Sequence, residues 1–102
     1  MRACKIWLFE NSYIEMNGLL PKSLCDFYAI KPCGNGVMET AIRIEPIETI
    51  SSEAAIERMK ELVIWRGDYR GQRKLILFVP KGLKPMARTI LAEYDEVFEY
   101  QG

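Results

Sequence analysis

Leu75-Ile76-Leu77-Phe78-Val79 is a run of five apolar residues, preceded by Arg73-Lys74 and closed by Pro80-Lys81-Gly82. A strand with one face in water alternates apolar and polar residues, so an unbroken run of this length reads as a strand covered on both faces, at the centre of a sheet. Pro85 then opens a helix with Ala87, Ile90, Leu91 and Tyr94 inward, and Val97-Phe98-Glu99-Tyr100 returns as a strand. The intervening chain is long enough for a parallel crossover.

Upstream, Ser51 or Ser52 caps a helix whose first turn carries Glu53 and whose apolar stripe is Ala55, Ile56, Met59, Leu62 and Val63, with Gly67 ending it. Val37 to Ile47 alternates: Met38, Thr40, Ile42 and Ile44 share one face, expected to be buried. Glu39, Ala41, Arg43 and Glu45 share the other, expected to be polar. Pro46 puts the end of that strand at a sheet edge or past its last ladder bond. Pro32-Cys33-Gly34-Asn35-Gly36 supplies a turn before it.

The N-terminal part reads differently. Residues 4–10, Cys-Lys-Ile-Trp-Leu-Phe-Glu, read as a strand, forming a hairpin with Tyr13-Ile14-Glu15-Met16 that Asn17-Gly18 closes. Residues 21–31 are open between a short helix begun at Pro21, the first choice, and a strand over Leu24 to Lys31. Lys5-Ile6-Trp7-Leu8-Phe9 with Gly18-Leu19-Leu20-Pro21 also parallels Lys74-Leu75-Ile76-Leu77-Phe78 with Gly82-Leu83-Lys84-Pro85. That suggests a duplicated strand-helix-strand motif with halves 1–50 and 51–102. The expected fold is α+β: one domain over residues 1–102, with a mixed sheet of about five strands and two or three helices.

Composition narrows the function. The chain has 102 residues, 49% hydrophobic and 27% charged, with fourteen basic and fourteen acidic residues and no stretch long enough to span a bilayer. Glu10 cuts the first apolar run too short for a signal peptide, so a cytoplasmic location with no membrane partner is expected. Three cysteines, Cys4, Cys25 and Cys33, give no paired spacing and are expected to be reduced. There is no histidine, which removes Cys-His and Ser-His nucleophiles and every His-containing zinc set. Two glutamines and three asparagines against eleven isoleucines and eleven glutamates are thermophile-like, a composition that suits a small archaeal or viral accessory protein.

Two constellations carry candidate chemistry. The first is Asp26 with Glu39, in Asp26-Phe27-Tyr28-Ala29-Ile30-Lys31 and Gly36-Val37-Met38-Glu39. These segments resemble the metal-binding core of PD-(D/E)xK nucleases, especially the archaeal Holliday-junction resolvase type. There an Asp ends one strand, a Glu lies on the next, and a Lys two residues on completes the site. The resemblance covers roughly residues 24–80, including the order of the later helices and strands. It implies that Asp26 and Glu39 would hold magnesium or manganese, with Arg43 stabilising phosphate charge. Ala41 stands where the family has its lysine, and no proline precedes Asp26. The plainer reading of Glu39, Arg43 and Glu45 is a solvated strand face with cross-strand ion pairs.

The second constellation is Trp65, Arg66, Tyr69, Arg70, Arg73 and Lys74, aromatics interleaved with cations around Gly67 and Gly71. That combination tracks a phosphate backbone while stacking bases, or else packs a helix end and solvates a loop. Gly34-x-Gly36 lacks the rest of a phosphate loop and reads as a turn, and Cys33 has no histidine to activate it. With the parts of catalysis incomplete, the expectation is non-enzymatic recognition of a protein or peptide through a groove or sheet edge, without a cofactor, with homodimerisation through such an edge in view. Nucleic-acid binding or a degenerate metal-dependent nuclease is the alternative.

Overall fold

The structure, a computed structural model, describes residues 2–16, 20–21, 24–69 and 71–101. Its elements in chain order are α1 (Arg2–Glu10), β1 (Ile14–Met16), β2 (Phe27–Cys33), β3 (Gly36–Ile44), α2 (Glu53–Arg66), β4 (Arg73–Pro80), α3 (Lys84–Ile90) and β5 (Glu96–Tyr100). The five strands form one mixed sheet in the order β1-β2-β3-β4-β5. β2 is antiparallel to β1 and β3, whereas β3, β4 and β5 run parallel. The α+β class, the mixed five-stranded sheet and its three helices are as the sequence indicated.

β4 is covered on both faces, with Leu75 to Val79 at 0–3% exposure. Leu75, Leu77 and Val79 face a core shared with Ala55, Met59 and Leu62 of α2 and Ala87 of α3. Ile76 and Phe78 face a second core built by Cys4 and Leu8 of α1. The molecule is therefore three layers, two helices on one face and one on the other. β3, between β2 and β4, is the central strand, and β4 lies one place from the edge.

α2 begins where Ser52 accepts the Ala55 N–H at 3.1 Å and ends where the Gly67 N–H donates to the Val63 carbonyl, with Gly67 at φ 51. The β2–β3 turn places Gly34 at φ 60 in the first of its two central positions, which a Cβ would strain. Pro32 lies beyond the last β2 residue that β1 pairs, and β3 ends before Pro46.

Three expectations are corrected. Residues 4–10 are helix α1, so there is no hairpin with Ile14–Met16, and Lys5–Phe9 does not fold like Lys74–Phe78 as the proposed duplication requires. Cys4, Trp7 and Leu8 turn to the sheet at i, i+3 and i+4 spacing, and the ring of Trp7 stacks on Tyr13 at 5.4 Å. The helix stops in a Schellman arrangement: the Tyr13 N–H donates to the Leu8 carbonyl, the Ser12 N–H to that of Phe9, and Ser12 takes φ 63. Second, the first-choice helix over residues 21–31 is a turn at Pro21 followed by strand β2, while Lys22 and Ser23, like the Asn17-Gly18 turn, lie outside the described residues. Third, the supposed polar face of β3 is covered: Ala41 and Glu45 are at 0% exposure.

Candidate functional site

Two polar clusters lie on the helix-covered face of β3, one at each end. At the C-terminal end stands Glu45, just past the strand and fully buried. Arg58 of α2 donates from Nη2 to both of its oxygens at 2.8 Å and from Nε at 3.2 Å. Arg43 donates from Nε at 3.1 Å, and the Thr49 hydroxyl at 2.8 Å. Asp26 completes the group, its Oδ2 accepting the Ile44 N–H at 2.7 Å and standing 3.5 Å from Arg43 Nη1. Arg43 is thus a cation between two carboxylates. Tyr94, buried nearby, has its ionisation pushed up by burial and then by the charge of Glu45, and its hydroxyl finds no partner among the described residues.

At the other end, Glu39 accepts from the Tyr28 hydroxyl in a short hydrogen bond and from Arg73 Nε at 2.8 Å. Burial pushes the Glu39 carboxyl up, but the bonds from Tyr28 and Arg73 and the charge of Arg73 outweigh it and hold it below its ordinary value. Tyr28 is pushed up to about 12, by burial first and by Glu39 second. Arg73 also donates to the Trp65 carbonyl at 2.5 Å, and its guanidinium lies 4.8 Å from both the Trp65 and Tyr69 ring centroids. One cation therefore ties the end of α2, the loop after it and β3 together.

The structure regroups the candidate residues. Asp26 lies four ladder positions from Glu39, because Phe27 pairs Ile42 while Ile30 pairs Glu39. At about 3.3 Å per residue the two are roughly 13 Å apart along the sheet, whereas carboxylates on one divalent ion each lie within ~2.6 Å of it. Glu39 instead meets Trp65, Tyr69 and Arg73 of the loop set. No group of three or more metal-ligating Cys, Asp and Glu side chains occurs among the described residues.

The loop set divides. Arg66 is 1% exposed, continuing the inward stripe of α2 beyond Leu62, and its Nη1 donates to both Asp95 oxygens at 3.1 Å. Asp95 in turn accepts the Leu75 N–H at 2.7 Å, so this pair locks α2 to the start of β4 and β5. Lys74 stands 3.7 Å from Glu96, and Arg70 lies outside the described residues. Tyr69 remains 56% exposed.

Sequence reasoning missed Glu45, Arg58 and Thr49 as one group. The available signal was Glu45 two residues after Arg43 on the same strand face, with Arg58 one residue before the inward Met59. Two cavities lie elsewhere: about 450 Å³ beside the β2–β3 turn, lined by Cys33, Val37, Met38 and Gln72 among others, and about 490 Å³ on α2, lined by Met59, Lys60, Val63, Ile64 and Glu93.

No family model, curated protein or solved structure matches this chain. No helix among the described residues is long and apolar enough to cross a membrane.

Proposed function

We propose that the protein is a non-enzymatic recognition module that binds an extended segment of a partner protein along the β1 side of its sheet. The observation that carries this reading is edge strand β1, all three residues of which are exposed, Ile14 at 59% and Met16 at 36%. Ile14 pairs Ile30 and Met16 pairs Tyr28, so these side chains share the face on which Tyr28 meets Trp65 edge-on at 6.2 Å. A partner strand could add backbone hydrogen bonds to such an edge and lay alternate apolar side chains beside Ile14 and Met16, towards Trp65 and Tyr69. The sheet's carboxylates are meanwhile engaged by its own cations. We place this activity in the cytoplasm, where three unpaired thiols, Cys4, Cys25 and Cys33, suit the reducing conditions, and assign it no cofactor.

Nucleic-acid binding is the second reading, supported by the exposed Tyr69 ring stacked on Arg73, with metal-dependent cleavage through Asp26, Glu39 and Arg43 as its enzymatic form. One experiment separates the two. Random peptides displayed on phage are selected against the ¹⁵N-labelled protein's unlabelled counterpart, and hits are mapped by amide shifts. Recognition at β1 predicts alternating apolar peptides that shift Ile14–Met16, Trp65 and Tyr69 and bind equally to an Asp26→Ala, Glu39→Ala double variant. Failure to select any peptide, together with salt-dependent binding of labelled single-stranded or junction DNA, would transfer the function to the second reading.

A further inference from the structure

The opposite edge of the sheet has a different pattern. β5 is Glu96-Val97-Phe98-Glu99-Tyr100, an edge strand with no strand beside its outer side among the described residues. The Tyr100 carbonyl accepts the Lys81 N–H at 3.0 Å, on the β4 side. By strand alternation Glu96 and Phe98 also turn their backbone groups to β4, which leaves the N–H and C=O of Val97 and Glu99 pointing outward. Exposed edges are ordinarily blunted by proline, a bulge or projecting charge. β5 has no proline, and both of its acids are turned to their own chain: Glu96 stands 3.7 Å from Lys74, and Glu99 Oε2 accepts the N–H groups of Gly82 at 2.9 Å and Lys84 at 3.0 Å.

We infer that β5 pairs with β5 of a second copy of this chain, antiparallel, with Phe98 on the two-fold axis, making one continuous ten-stranded sheet. The register follows from charge. With the axis at Phe98, Val97 lies opposite Glu99 of the other copy and exchanges both hydrogen bonds with it, four in all. Glu96 lies opposite Tyr100, an acceptor against a hydroxyl donor, and no acid faces an acid. Moving the axis one residue towards the N-terminus sets Glu99 against Asp95; moving it one residue the other way sets Glu99 against Glu99. Like charges directly opposite are destabilising, so both shifts are disfavoured and the strand is complementary to itself in one register. Phe98 also carries an aromatic row, with Trp7 at 5.6 Å and Phe78 at 5.4 Å, which the axis would continue into the second copy. This contact uses the edge opposite β1, so it stands or falls separately from the recognition proposed there.

A non-hydrogen-bonded antiparallel pair brings its Cα atoms to about 4.5 Å, within disulfide range, so Phe98 is the position to cross-link. In a Cys33→Ser background, Phe98→Cys is expected to form a disulfide-linked dimer in a glutathione redox buffer, and Tyr100→Cys is expected to remain monomeric. Because Phe98 is part of the core, the unsubstituted protein supplies the second measurement. Sedimentation equilibrium should give twice the 11.8 kDa chain mass, with the Val97 and Glu99 amides exchanging slowly in the dimer and rapidly on dilution. A monomer at every concentration up to about 1 mM would overturn the inference, as would a dimer whose Val97 and Glu99 amides exchange freely and whose Phe98→Cys form does not cross-link.

Discussion

Glu45 and Glu39 sit at opposite ends of the same strand, on the same face, and each is held by arginine, yet they are held to different degrees. Glu45 has no exposed surface and is clamped by two guanidiniums and a hydroxyl. Glu39 keeps 22% of its side-chain surface and has one guanidinium and one phenol. The first cluster joins β3, the start of β2 and α2 where no water reaches the carboxylate, so each partner depends on the others. The second lies at the rim, where solvent can replace a lost partner. Position in the layer, more than the number of charges, decides whether an ion cluster on this sheet is structural or exchangeable.

The comparison can be broken most sharply at Glu45. Glu45→Gln leaves Arg43 and Arg58 with an uncompensated buried charge and is expected to cost about 3–5 kcal/mol in urea unfolding. The same change at the rim, Glu39→Gln, is expected to cost about 1–2 kcal/mol, because water can take over part of the interaction. Equal losses at the two sites would remove the distinction. Tyr28→Phe should cost about 0.5–1.5 kcal/mol near neutral pH.

The same residue sharpens the comparison through pH. Since Tyr28 is held neutral in the folded protein, its contribution is complete below its ordinary value near 10 and is lost as pH rises towards about 12. The stability difference between the parent and Tyr28→Phe should therefore shrink across that window. Glu39 has the opposite sign: its folded value lies below 4.5, so its contribution is present above 4.5 and disappears as pH falls through the folded value. Stability of the parent should fall more steeply there than that of Glu39→Gln. The smallest expected effect is at Lys74, whose pair with Glu96 is about two-fifths exposed on both sides: Lys74→Ala should change stability by less than about 0.5 kcal/mol.

Legibility in the sequence followed burial and capping. The run Leu75–Val79, the Ser52 cap and Gly67 stop of α2, and the Gly34 turn each carry a local signal that tertiary structure did not override. α1 was misread because a short apolar run does not distinguish strand from helix, and because its stop residue is Ser12 where a glycine would have announced the left-handed conformation. Ser12→Gly is correspondingly expected to stabilise the protein by about 0.5–1 kcal/mol. For the candidate site, residue types were visible but partners were not. Asp26 and Glu39 are separated by the β2–β3 register, which depends on the turn, and Arg66 is internal because the inward stripe of α2 runs one turn further than its apolar residues.

The account rests on the sheet's carboxylates being satisfied by its own cations, so that recognition belongs to the edges. Paramagnetic broadening by Mn²⁺ tests this most directly, with the ¹⁵N-labelled protein titrated to a few equivalents. The account predicts uniform, weak broadening, with the amides of Asp26, Glu39, Arg43 and Glu45 no more affected than those of exposed Glu57 and Glu61. Selective loss of the Asp26, Arg43 and Glu45 signals, or of those around Glu39, at stoichiometric Mn²⁺ would contradict it and establish a metal centre on β3.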